Sequence, residues 1–152
     1  MASNLINFCL FQLGWFICIL GAAWDHTYIA VVITLGILLL HLYLTDKNVN
    51  DIKLFALAGI FGFIFDGLMQ WNGMILYNDP GVPYPLTPIW IVVLWVLFAL
   101  TLNHSLSWLK GRVVLAAIFG ALGGPLAYVA GEKLMAVTIV EPNTLLILAI
   151  GW

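Results

Sequence analysis

Asp66 is the one ionisable residue well inside an uninterrupted apolar run, the stretch from Ile52 to Tyr77. A carboxyl group at bilayer depth costs roughly 2.5 to 3.5 kcal/mol on insertion scales. It must therefore face other protein, and there either meet a hydrogen-bond partner or carry a proton. Asp66 lies fourteen residues beyond Ile52, and Tyr128 lies fifteen beyond Val113, so two apolar runs that start at the same membrane face bring them to similar depth. One turn further, Gln70 and Glu132 match in the same way, and Asp25 closes the first apolar run at that boundary. Asp25, Asp66, Gln70, Tyr128 and Glu132 are thus a candidate outward-opening polar pocket. The competing reading makes Asp66 an interhelical hydrogen-bond clamp and leaves Asp25 and Glu132 at ordinary interfacial positions. Depth matching does not say which helices are neighbours.

The opposite half holds Asn7, Gln12, His41, Asn103, His104 and Ser105. His41 and His104 lie near the ends of the second and fourth runs and have the chemistry to ligate a metal or haem iron. No His-x-x-x-His, Glu-x-x-His or Cys pair accompanies them, so capping and interfacial hydrogen bonding are the favoured roles, and no metal or cofactor is expected. Cys9 and Cys18 are nine residues apart, about half a turn out of phase on a helix, and cannot bridge each other. They read as small buried hydrophobes. Phosphate-binding loops, dinucleotide-binding glycine patterns, serine-nucleophile elbows and HExxH are all missing from the sequence. No catalytic residue is assigned.

A third feature lies in the fifth run, GALGGPLAYVAGEKL from Gly120 to Leu134. Gly120 and Gly124 are four residues apart and Gly123 adds to the small-residue surface, which lets another helix approach closely. Pro125 frees the carbonyl near Ala121 and favours a bend there. Tight packing around a kink is the plain reading; a broken backbone lining a cavity is the functional one.

The elements that must position these groups follow from composition. Of 152 residues, 64% are hydrophobic and 8% charged, against about 25% charged for a soluble domain, and the mean hydropathy is +1.10. So few charges cannot coat a water-facing surface. The net charge of −2 gives no reason to expect a nucleic-acid partner. Continuous apolar runs, without the alternation of barrel strands, exclude a closed β-barrel. The fold class is all-α, a polytopic transmembrane helical bundle in one domain. It has five full helices and a short or clipped sixth, over about 5–23, 28–44, 52–77, 89–109, 113–131 and 134–152, the last broken at Pro142.

Lys47 and Lys53 flank the second break and Lys110 and Arg112 the fourth, whereas only Lys133 falls on the other side. The positive-inside rule then places the N-terminus in the cytoplasm. The stretch before Leu5 has no Lys or Arg, so the first run reads as a retained helix and not a cleaved leader. Trp24, Tyr28, Tyr77, Tyr84, Trp90 and Trp108 sit near run boundaries, as an aromatic belt requires. Trp15, Trp71 and Trp95 are assigned to packing.

Leu94-Trp95 with Phe98-Ala99 and Thr101-Leu102, then Ser107-Trp108-Leu109, then the Gly120 to Leu134 segment, together resemble a family of small bacterial multi-pass membrane proteins classified as a domain of unknown function. Asn7, Trp15 and an Asp in the third helix also fit its pattern. The resemblance implies an inner-membrane protein, often encoded beside fatty-acid modification genes, and carries no activity. The family tends to continue past the position of Trp152, and it often has Gly where this chain has Met135, a local difference with no consequence visible in the sequence.

The first functional expectation is a non-enzymatic component that binds membrane lipid or another amphiphile, or an accessory subunit, as a homo-oligomer or with a membrane partner. The alternatives are a small transporter using Asp66 as a proton- or cation-linked site, and a membrane enzyme of lipid or fatty-acid modification.

Overall fold

The computed structural model describes residues 2–44 and 49–152. Its elements are α1 (Ala2–Ala23), α2 (Thr27–Leu44), α3 (Val49–Trp71), β1 (Ile75–Tyr77), α4 (Ile89–Asn103), a 3-10 turn (Ser107–Leu109), α5 (Val113–Lys133), β2 (Val137–Ile139) and α6 (Thr144–Gly151). The all-α bundle stands. Helices α1, α2, α3 and α5 are long and apolar enough to cross a membrane. The fifteen residues of α4 rise about 22 Å, shorter than the four candidate spans, and the His104–Leu106 turn and the 3-10 segment follow it. Lys47, part of the charge argument for orientation, lies outside the described residues. Lys53, Lys110 and Arg112 lie at one end of the bundle, called the basic end below, and Asp25, Asp79, Glu132 and Glu141 at the other, the acidic end.

Three boundaries differ from the hydropathy reading, all because hydropathy is blind to chain reversal. The third run is not helical to Tyr77: α3 stops at Trp71 and the chain folds back as β1. The fourth stops at Asn103, short of residue 109, and the last begins as a strand before Pro142. The stop after α3 is a left-handed cap. Gly73 has φ +69°, its N–H donates to the Gln70 carbonyl, and the Met74 N–H donates to the Met69 carbonyl, the paired bonds of a Schellman motif. The same motif closes α1 at Asp25 (φ 59°) and α5 at Met135 (φ 64°). Met135 thus occupies a position whose geometry favours glycine, because its Cβ crowds the following carbonyl there.

The two reversals at Gly73 and Met135 align β1 and β2 antiparallel, with Ile75 opposite Ile139 and Tyr77 opposite Val137. One face of this two-stranded ladder is buried: Ile75, Tyr77 and Val137, with Ala136 just before β2, belong to the main core with Trp90, Trp95, Tyr128 and Leu148. Loop ties hold the acidic end together. The Asp79 carboxylate accepts from the Thr27 N–H at 2.9 Å and so caps α2. Asn78 donates to the Ala22 carbonyl at 3.0 Å, and Tyr28 to the Gly81 carbonyl at 2.7 Å.

Helix α4 is the centre of the bundle, packed by α3, α1 and α2. Helix α5 stands to one side, held chiefly by α6, β2 and the 3-10 turn. It runs from Val113 to Lys133 across Pro125 as a single helix.

Candidate functional site

Asp66 is fully buried, and its carboxylate is enclosed by donors from three other elements. Tyr77 of β1 donates to Oδ1 at 2.6 Å. Tyr128 of α5 donates to the same oxygen. The Trp95 indole N–H of α4 donates to Oδ2 at 2.6 Å. Three neutral donors on one carboxylate answer the desolvation cost that made Asp66 conspicuous, and hydrogen bonds to a charged acceptor contribute about 1.5 to 3 kcal/mol each. Asp66, Trp95 and Tyr128 lie at one level because each counts a similar distance from the acidic end: five residues from Asp66 to Trp71, six from Ile89 to Trp95, five from Tyr128 to Lys133.

Aromatic rings wall the clamp. Trp95 stacks on Trp152 with ring centroids 4.4 Å apart and planes at 25°, and Phe61 and Phe65 meet Trp95 edge-on at 5.2 and 6.4 Å. Glycines make this possible. A Cβ on Gly62 would collide with the Trp95 ring, one on Gly124 with the Trp152 ring, one on Gly120 with the Trp152 backbone, and one on Gly151 with Phe65. Gly120 and Gly124 therefore make room for Trp152. The Cβ direction of Gly123 points into open space, on an exposed part of α5.

The five-residue pocket of the sequence reading divides into separate places. Asp66 and Tyr128 are bonded to each other. Gln70 is buried one turn beyond Asp66, with its Oε1 unpartnered and its backbone carbonyl accepting from Tyr84 at 3.4 Å. Glu132 accepts from the Ile139 N–H at 2.9 Å, which pins β2 to α5, and it lines a shallow open groove with Leu76, Tyr77, Asn78, Met135 and Thr138. Asp25 is exposed in the cap of α1. The groove reaches Tyr77 and does not include Asp66.

At the basic end the structure brings His41 and His104 edge-to-face at 4.8 Å between ring centroids. Around them Asn103 donates to Asp51, and Asn7 accepts from the Ser105 N–H at 3.2 Å. Among the described residues no group of three or more His, Cys, Asp or Glu is placed to hold a metal ion.

Two members of the clamp escaped the sequence reading. Hydropathy puts Tyr77 in an aromatic belt because its run reads as helix to its end; the clue to the contrary is the stop signal at Gly73. Trp95 was assigned to packing, although counting residues from the acidic end puts it level with Asp66.

One further feature is a change of burial along α5. The stripe Val113, Ala117, Gly120, Gly124, Tyr128 and Gly131 follows one side of the helix. It is buried from Gly124 to Gly131, intermediate at Gly120 and exposed at Ala117, and Val113 is 79% exposed. Neighbouring positions are also open: Val114 74%, Ile118 48% and Phe119 51%. Seven residues at 100° intervals cover every direction around a helix, so the basic half of α5 offers apolar surface toward the bundle as well as away from it. Trp152 supports α5 at Gly120 and Gly124, and Trp108 meets Phe119 edge-on at 5.3 Å.

No curated protein and no solved structure matches this chain. Residues 4–152 match a family described as protein of unknown function (DUF2878). Coverage of nearly the whole chain shows that this protein belongs to the DUF2878 family of unknown function.

Proposed function

We propose that this protein is a non-enzymatic, lipid-binding component of a bacterial inner membrane, with its N-terminus and basic end on the cytoplasmic side. The observation that carries this reading is the bare basic half of α5: a stripe buried at Gly124 becomes exposed at Val113, at hydrocarbon depth, with apolar side chains on all sides. Water gains nothing in such a space, and acyl chains fill it without loss of packing. Asp66 then has a structural role, locking α3, α4, α5 and β1 at one level and so fixing where α5 stands. Transport through Asp66 and lipid modification receive no comparable support, since the carboxylate is engaged by three donors and, among the described residues, only tyrosines accompany it as titratable partners.

Native mass spectrometry of the detergent-purified chain tests the reading. Retained lipid is expected on the wild type. Ala117→Trp, which places a large ring on an exposed stripe position, should remove it without unfolding the protein. Absence of lipid on the wild type, or equal retention by the variant, refutes the proposal.

A further inference from the structure

The bare stripe ends beside two cations. Lys110 and Arg112 are both exposed and immediately precede α5, with Gly111 between them in a left-handed turn at φ +77°. Val113 and Val114, the most exposed residues of α5's basic half, follow directly. An apolar surface at hydrocarbon depth that terminates in a pair of basic side chains at the interface matches a molecule with an acyl tail and an anionic head. Neither half is specific alone, because basic residues flank many membrane helices and apolar faces meet bulk lipid. The specific feature is their continuity with the inward-facing stripe, along which a lipid meets protein at both ends: Trp152 beside Gly120 and, at its head, Lys110 and Arg112.

Resting on the lipid-binding reading, we propose that the basic half of α5 is a site for an anionic phospholipid, its phosphate paired with Lys110 and Arg112 and one acyl chain lying along Val113 and Ala117 as far as Trp152. The charge pairing selects the lipid class and the stripe supplies the hold. Gln12 and the His41–His104 pair are not needed for it, and the cationic side chains that decide the preference are solvent-accessible in the unliganded chain.

The test uses the full chain, delipidated and offered dioleoyl phosphatidylglycerol or dioleoyl phosphatidylcholine, with adducts counted by native mass spectrometry. Phosphatidylglycerol should be retained on the order of thirtyfold better, each basic side chain contributing about fivefold at an anionic interface. Lys110→Gln with Arg112→Gln should erase that preference, lowering phosphatidylglycerol retention to the level of zwitterionic phosphatidylcholine, whose own retention falls far less, and Ala117→Trp should abolish retention of both. Equal retention of the two lipids by the wild type overturns the headgroup assignment while leaving the lipid-binding reading intact; retention of neither overturns both. A third measurement guards against a different occupant. With Cys9 and Cys18 replaced by Ser, Ala117→Cys should stay monomeric under oxidation, and a disulfide-linked dimer would assign the surface to a second copy of the chain and overturn the proposal. Unchanged thermal unfolding of each variant shows that the comparisons are made on folded protein.

Discussion

Replacing Asp66 by alanine removes the acceptor from three buried donors at once. Tyr77, Tyr128 and the Trp95 indole all end on its two oxygens, and the residue is fully buried, so solvent cannot substitute. A buried donor left unsatisfied costs about 1 to 3 kcal/mol. Three of them total roughly 3 to 9 kcal/mol, against which alanine recovers part of the desolvation cost of the carboxylate. A net loss of about 3 kcal/mol or more is expected, a large fraction of the stability of most domains. The bond pattern predicts finer structure in the series. Tyr77 and Tyr128 share Oδ1, so Tyr77→Phe or Tyr128→Phe alone leaves that oxygen one donor and should cost about 1 kcal/mol each. The double variant leaves it none and should cost more than the two together. Trp95 is the donor to Oδ2 and also stacks on Trp152, so Trp95→Phe should exceed either tyrosine change. Asp66→Asn should fall between wild type and alanine, since its carbamoyl oxygen accepts from Trp95 while rotated tyrosine hydroxyls accept from its amide. The assay is reversible unfolding in mixed micelles with increasing SDS, followed by tryptophan fluorescence. An alanine variant within about 1 kcal/mol of wild type, or strictly additive tyrosine changes, refutes the clamp.

Met135→Gly should stabilise the protein by about 0.5 to 1 kcal/mol in the same assay, because glycine relieves the left-handed strain at φ 64° at a smaller cost in chain entropy, and little packing is lost from a residue 69% exposed. Gly62→Ala should destabilise by about 2 kcal/mol, since the new Cβ collides with the Trp95 ring and displaces its N–H from Asp66; an unchanged unfolding midpoint would show that the ring has room to move. Asp79→Ala should cost about 1 kcal/mol through loss of the cap on the Thr27 N–H, with faster amide exchange confined to the start of α2 as the check.

Much of the architecture was legible before any coordinates. Apolar runs of membrane length separated by brief polar breaks leave few alternatives to a helical bundle, because the backbone must satisfy its hydrogen bonds within each segment. The cost of a bilayer carboxyl singled out Asp66, and a count from the helix starts paired it with Tyr128. The five-residue pocket was legible only as a list of depths. Depth is a one-dimensional quantity, and whether Asp25 and Glu132 share a site with Asp66 depends on azimuth and on loops. Asp25 went to a helix cap and Glu132 to a strand tie.

The pairing of β1 with β2 marks the dividing line. Gly73 and Met135 reverse the chain through backbone geometry that a hydropathy profile does not register, since Ile75 to Tyr77 is as apolar read as strand as it is read as helix. That reversal carries Tyr77 back to Asp66. The packing of α6 against α5 places Trp152 over Trp95 and against Gly120 and Gly124 of α5. By itself the sequence determined the solvent of this protein, its helices and the residue that had to be partnered, because burial energies and helix lengths are local properties of composition. Which donors surround Asp66, and where α5 parts from the bundle, were decided only by tertiary structure, because both depend on contacts between segments distant in the chain.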